Sequence, residues 1–97
     1  MMFITETLNF DGKEIFAICL AMQEKNLIVL RAAKGYVMCG YLNMAASDKF
    51  NEVAVKIAGV STIEQALDAK AGEVSHAAQK LGITPGMPVR EILKLIT

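Results

Sequence analysis

The stretch NFDGKEIFAICLAM, residues 9–22, decides the reading of the fold. Asp11-Gly12 is a hairpin signal, because a type I′ turn needs positive φ at both central residues and this pair tolerates it. Residues 13–22 should therefore return antiparallel to the strand before the turn. In that strand, residues 2–10, Ile4, Leu8 and Phe10 alternate with Thr5, Thr7 and Asn9, which is β periodicity. The returning strand carries two apolar rows, Phe16, Ile18, Leu20 and Met22 on one side and Ile15, Ala17, Cys19 and Ala21 on the other. A strand of this kind is expected to be covered on both faces.

Downstream, LIVLRAA (27–33) is a third strand ended by Lys34-Gly35, and YVMCGYL (36–42) a fourth, so that four short-linked strands form an antiparallel meander. Asn43 is a good N-cap for a short helix whose apolar side is Ala45, Ala46 and Phe50. Val53, Val55 and Ile57 then alternate as a fifth strand. Ser61-x-x-Glu64 has capping-box spacing and opens a helix to about residue 68. A helix over 72–81 would bury Val74, Ala77, Ala78 and Leu81, with Gly82 as its C′ residue. Thr84-Pro85-Gly86 forces a turn, Pro88 suits the first helical position, and Val89, Ile92, Leu93 and Ile96 form an inward stripe. The expected fold class is α+β, a mainly antiparallel sheet of about five strands with three or four short helices packed on it, in one domain over residues 1–97.

Composition narrows the function. The 97 residues carry ten Lys plus Arg and ten Asp plus Glu, and 54% are apolar; the mean hydropathy is +0.39. That profile is opposite to a disordered chain. No segment accumulates positive charge, so nothing supplies the counterion release that drives nucleic-acid binding. The longest apolar run, residues 15–22, is far short of the ~20 residues a membrane span needs. The start MMFITETLNF lacks the basic segment and cleavage site of a signal peptide, which reads as cytoplasmic. Cys19 and Cys39 form no CxxC pair, and with His76 as the single histidine there is no zinc set and no implied metal or cofactor.

GYVMCGYLN, residues 35–43, is the densest cluster of chemistry-bearing residue types. It places Cys39 and Gly40 near a strand end just before a helix start, where free amides and the helix dipole could favour a thiolate. In that reading Cys39 is a reactive thiol, Gly40 admits a ligand to the backbone, and Tyr36 and Asn43 contribute contacts. In the plainer reading Cys39 is a small apolar filler and Gly40 a packing glycine. His76 falls off the apolar stripe of its helix, so a Cys-His dyad has no support. The second candidate is the rigid turn Pro85-Gly86, whose neighbour Arg90 would add charge for an anion; a plain helix start with surface charge is its alternative.

The phrases GYVMCGYLN, IAGVSTIEQAL and AQKLGITPGMPVREIL, together spanning most of the chain, resemble the YunC-like family of small prokaryotic proteins, a domain of unknown function. The resemblance rests on Gly35, Tyr36, Met38, Cys39 and Gly40, then Gly59 and Val60, then Gly82, Pro85, Gly86, Met87, Arg90 and Glu91. It implies a compact α+β fold and carries no established activity, catalytic residue or cofactor. Cys39 lies within its pattern; Cys19 and His76 do not. The family commonly has an acidic residue where Asn43 stands, and residues 43–53 are shorter than usual, so a role needing a carboxylate at 43 is put in doubt while an N-cap role survives.

The function expected from these features is a noncatalytic ligand- or partner-binding regulatory module acting as a homo-oligomer, with a small molecule as its possible ligand. An enzyme or redox sensor using Cys39, and a purely structural assembly protein, are the alternatives.

Overall fold

The computed structural model describes residues 3–10, 12–39 and 43–97. Six strands form one sheet in sequence order: β1 (Phe3–Phe10), β2 (Lys13–Ala21), β3 (Asn26–Arg31), β4 (Tyr36–Met38), β5 (Ala54–Lys56) and β6 (Glu73–Val74). All neighbours are antiparallel except β4 and β5. Between those two runs α1 (Met44–Lys49), as a parallel pair requires a crossover of a dozen or more residues. The other helices are α2 (Ile63–Leu67), α3 (His76–Lys80) and α4 (Val89–Ile96).

The hairpin register pairs Phe10 with Lys13, leaving two residues for the turn, and Gly12 has φ +80. Asp11 lies outside the described residues. The β3–β4 connection closes through Ala32 N–H to the Gly35 carbonyl at 2.8 Å. Gly35 is required there by proximity, since a Cβ would stand 2.6 Å from the Val53 carbonyl oxygen.

The core lies on one side of the sheet. Ile15, Ala17, Cys19, Ile28, Leu30, Val37 and Val55 point into it and meet Ile63, Ala66 and Leu67 of α2, Ala78 of α3, and Val89, Ile92, Leu93 and Ile96 of α4. The α4 stripe is as its spacing predicts, and Gly82 takes φ +90 just past α3. The opposite face of β2 departs from expectation. Phe16 and Met22 are about half exposed, and Ile18 and Leu20 only partly covered. On this second face α1 covers only the β4–β5 end, where Ser47 meets Tyr36 and Ala54 is buried, because the other helices spend their apolar stripes on the first.

Other local expectations shift for identifiable reasons. In α1 the buried residue is Ser47, while Ala45, Ala46 and Phe50 face solvent, because the Tyr36 hydroxyl bonds Ser47 Oγ and turns that side inward. The N-cap of α2 is Thr62, not Ser61: its Oγ1 accepts from Gln65 N–H at 3.0 Å, while Gln65 Oε1 accepts from Ser61 N–H at 2.8 Å. Residues 73–74 join the sheet as β6, since pairing with Val55 and Lys56 satisfies amides that a longer helix would have used. The helix then starts after Ser75, and Leu81 is exposed. Pro88 is the N-cap of α4 rather than its first residue. The fourth strand ends at Met38, and residues 40–42 lie outside the described part.

Candidate functional site

Cys39 follows β4 directly, and alternation turns it to the core side with Val37. Its N–H donates to the Ile28 carbonyl at 3.1 Å. The thiol is engaged twice more on β3, accepting from Ile28 N–H at 3.4 Å and donating to the Asn26 carbonyl at 3.5 Å. With 5% of its surface exposed, Cys39 stitches the end of β4 to the start of β3.

Cys39 nevertheless lines a cavity of about 350 Å³ with Glu24, Lys25, Asn26 and residues 58–61. Asn26 and Ser61 also border a second cavity of about 520 Å³, walled by Ile4, Leu8, Cys19 and Leu67 with Glu6 and Glu64 among its polar groups. The two hollows are held apart by one link, in which Asn26 Nδ2 donates to the Ser61 carbonyl at 2.7 Å. Cys19 Sγ approaches the same carbonyl at 3.8 Å. Asn26 and Ser61 carried no signal by themselves, since an Asn at a strand start and a Ser before a helix are ordinary turn chemistry. Only the packing of the 57–61 loop over β3 brings them together.

The other candidates are dispersed. Tyr36 points to the opposite side of the sheet, where its hydroxyl lies 2.9 Å from Ser47 Oγ and donates to Glu52 Oε1 at 2.9 Å. Asn43 caps α1, its Oδ1 accepting from Ala46 N–H at 3.3 Å. Gly40 lies outside the described residues. Gly86 donates its N–H to the Ala71 carbonyl at 2.8 Å, and Pro88 bridges to Lys70. Arg90 is occupied by Asp68 Oδ1, at 3.2 Å from Nε and 3.1 Å from a terminal nitrogen. None of Pro85, Gly86 and Arg90 lines the cavity at Cys39. His76 is well exposed beside Asp48, with Nδ1 3.8 Å from Oδ1, and is not a partner of Cys39. Among the described residues no three His, Cys, Asp or Glu side chains converge as a metal site, and no helix is long and apolar enough to cross a membrane.

Burial pushes the Tyr36 phenol above its ordinary range; the Ser47 hydrogen bond opposes the rise, and Glu52 adds to it as acceptor and as a charge. The neutral phenol is thus favoured by the fold. Its contribution to stability is complete below the unfolded value near 10 and is lost as pH rises from there through the raised folded value. Phenolate absorbance in a Tyr41→Phe background should show Tyr36 ionising above 10, and Glu52→Gln should bring it down. An unshifted titration would contradict the geometry.

Comparison with known proteins places the chain in a family. The family model described as "Domain of unknown function (DUF1805)" matches residues 38–96, which include Cys39, the 57–61 loop and the Pro85-Gly86 turn. The chain belongs to the DUF1805 family. It is 38% identical over 87 residues to the "Uncharacterized protein YunC" of Bacillus subtilis (strain 168), covering 86% of each chain. The chain is also similar to a solved structure, the "Protein of Unknown Function TA1206" from Thermoplasma acidophilum. That crystal structure superimposes with a TM-score of 0.96 at 35% identity, over 99% of this chain and 94% of the other. The resemblance read from the sequence phrases is therefore correct, and this chain is α+β with a mostly antiparallel sheet.

Proposed function

We propose that the protein is a noncatalytic binding module of the cytoplasm that works as a homo-oligomer and takes a small ligand or a partner beside the Asn26–Ser61 link. One observation carries this reading: α1 covers only the β4–β5 end of the second sheet face, so the apolar side chains of β2 on that face stay partly exposed. The larger cavity beside Asn26 offers apolar walls with a few polar groups, which is how small-molecule sites are built, and the Cys39 cavity adds the charges of Glu24 and Lys25. Two free, buried cysteines suit a reducing compartment. Pro85, Gly86 and Arg90 enter this reading as structural residues.

The second reading, Cys39 as reactive thiol, draws support from its place on a cavity wall. Alkylation of the native protein in a Cys19→Ser background separates the two. A binding module leaves Cys39 unreactive until unfolding, and fast native labelling that Cys39→Ser abolishes would favour the enzyme or sensor. Native mass spectrometry with pooled cell metabolites tests the binding module itself. Multimers or a retained small molecule are expected; a strictly monomeric, ligand-free protein would overturn it.

A further inference from the structure

The face of the sheet opposite the core has a composition that solvent does not explain. Along β1–β4 the register brings Phe3 opposite Leu20, Ile18 opposite Val29, and Val29 opposite Met38, with Phe16 beside them. Phe3 is 59% exposed and Phe16 48%. An antiparallel sheet with one wet face ordinarily makes that face polar. Here the polar members, Thr5, Thr7 and Asn9 on β1, Glu14 on β2, Arg31 on β3 and Tyr36 on β4, lie on the edge strand or toward one end, and the rest of the face is apolar.

We propose that this face packs against the same face of a second copy, forming a two-layer sheet sandwich. The inference rests on the self-association proposed above and names its surface. Area is the first argument. Strand rise and spacing give β1–β4 a flat footprint of roughly 400 Å². Side chains standing on it raise the accessible area toward the ~800 Å² that each partner buries in a standard interface.

Charge is the second argument, and it selects a second copy over an unrelated partner. Glu14 and Arg31 are the charged residues of this face on β1–β4, lie toward one end of it, and make no ion pair within the chain among the described residues. A two-fold axis along the strands lays β2 over the partner's β3 at the ~10 Å separation of packed sheets. Glu14 then meets the partner's Arg31, and the symmetry makes the pairing twice. Both pairs lie together at that end, and the apolar side chains beyond them fill the rest of the layer.

Sedimentation velocity over a concentration series, up to about 100 μM, tests this by mass action. The wild type should dimerise. Thr5→Lys and Phe16→Glu should each weaken the dimer about tenfold or more, because each buries an unpaired charge, whereas Leu95→Ser, exposed on α4 across the core from this face, should leave it unchanged. Thr5 is exposed on an edge strand, so its replacement leaves the core intact; circular dichroism melts verify this for every variant. Glu14→Arg should weaken dimerisation, and adding Arg31→Glu should restore it. A dimer of wild-type strength in both Thr5→Lys and Phe16→Glu would overturn the surface while leaving self-association standing, with the unpaired edge of β1 then the interface. A wild type that stays monomeric throughout would overturn both.

Discussion

Leu93→Ala should lower the stability of the folded chain by about 2–5 kcal/mol, the range for emptying a fully buried leucine site. Leu93 has no exposed surface and shares its stripe with Val89, Ile92 and Ile96, which are equally enclosed. α4 depends on that stripe for its existence. Eight residues are too few for an isolated helix, and Pro88 at its N-cap gives no side-chain hydrogen bond. The packing reaches beyond the helix, because the Ile96 carbonyl accepts from Lys34 N–H at 2.7 Å and so ties α4 to the β3–β4 turn. Against a total of roughly 5–15 kcal/mol, the loss is a large share. Urea unfolding should show the midpoint falling with little change in slope, and Leu95→Ala, one residue on and 39% exposed, should cost well under half as much. Equal effects at 93 and 95 would mean that α4 is not packed as described.

The second large effect is expected at Ser75, a position the sequence does not advertise. Its Oγ is fully enclosed, accepts from Ala54 N–H at 2.9 Å and Ala78 N–H at 3.2 Å, and donates to the Glu52 carbonyl at 2.7 Å. One hydroxyl thus caps α3 and closes the start of β5. Ser75→Ala removes a cap worth about 0.5–2 kcal/mol and strands a buried amide at about 1–3 kcal/mol more. A loss of about 2–4 kcal/mol is expected. Thr62→Ala is the comparison, since Thr62 caps α2 with one hydrogen bond at an exposed site and should cost only about 1 kcal/mol. Similar denaturation midpoints for the two variants would show that the Ala54 amide finds another partner.

These positions mark how far local chemistry reads. The Phe10–Lys13 register, the α4 stripe and Gly82 follow from neighbours a few residues apart, so turn geometry and helical period suffice. The α2 cap was misassigned by one residue because Ser61 and Thr62 are chemically interchangeable, and only the position of Gln65 chooses between them. For the candidate site the sequence supplied Cys39 and a cluster of unusual residues around it. It could not supply Asn26 or Ser61, whose contact spans 35 positions. Nor could it separate Arg90 as ligand from Arg90 as partner of Asp68.

Sequence alone was enough for the α+β class, the family, the first five strands and the identity of the last helix, because each is written in short-range period or in a run of shared residues. Tertiary structure decided the rest. The two apolar rows of β2 look alike in the sequence, and which one is enclosed depends on where α2 and α4 come to lie. Likewise, Cys39 is tied rather than free because β3 passes beside it, with Asn26 and Ile28 supplying the partners for its sulfur. Burial and hydrogen-bond satisfaction are properties of the assembled chain, and a residue's neighbours across the fold set them.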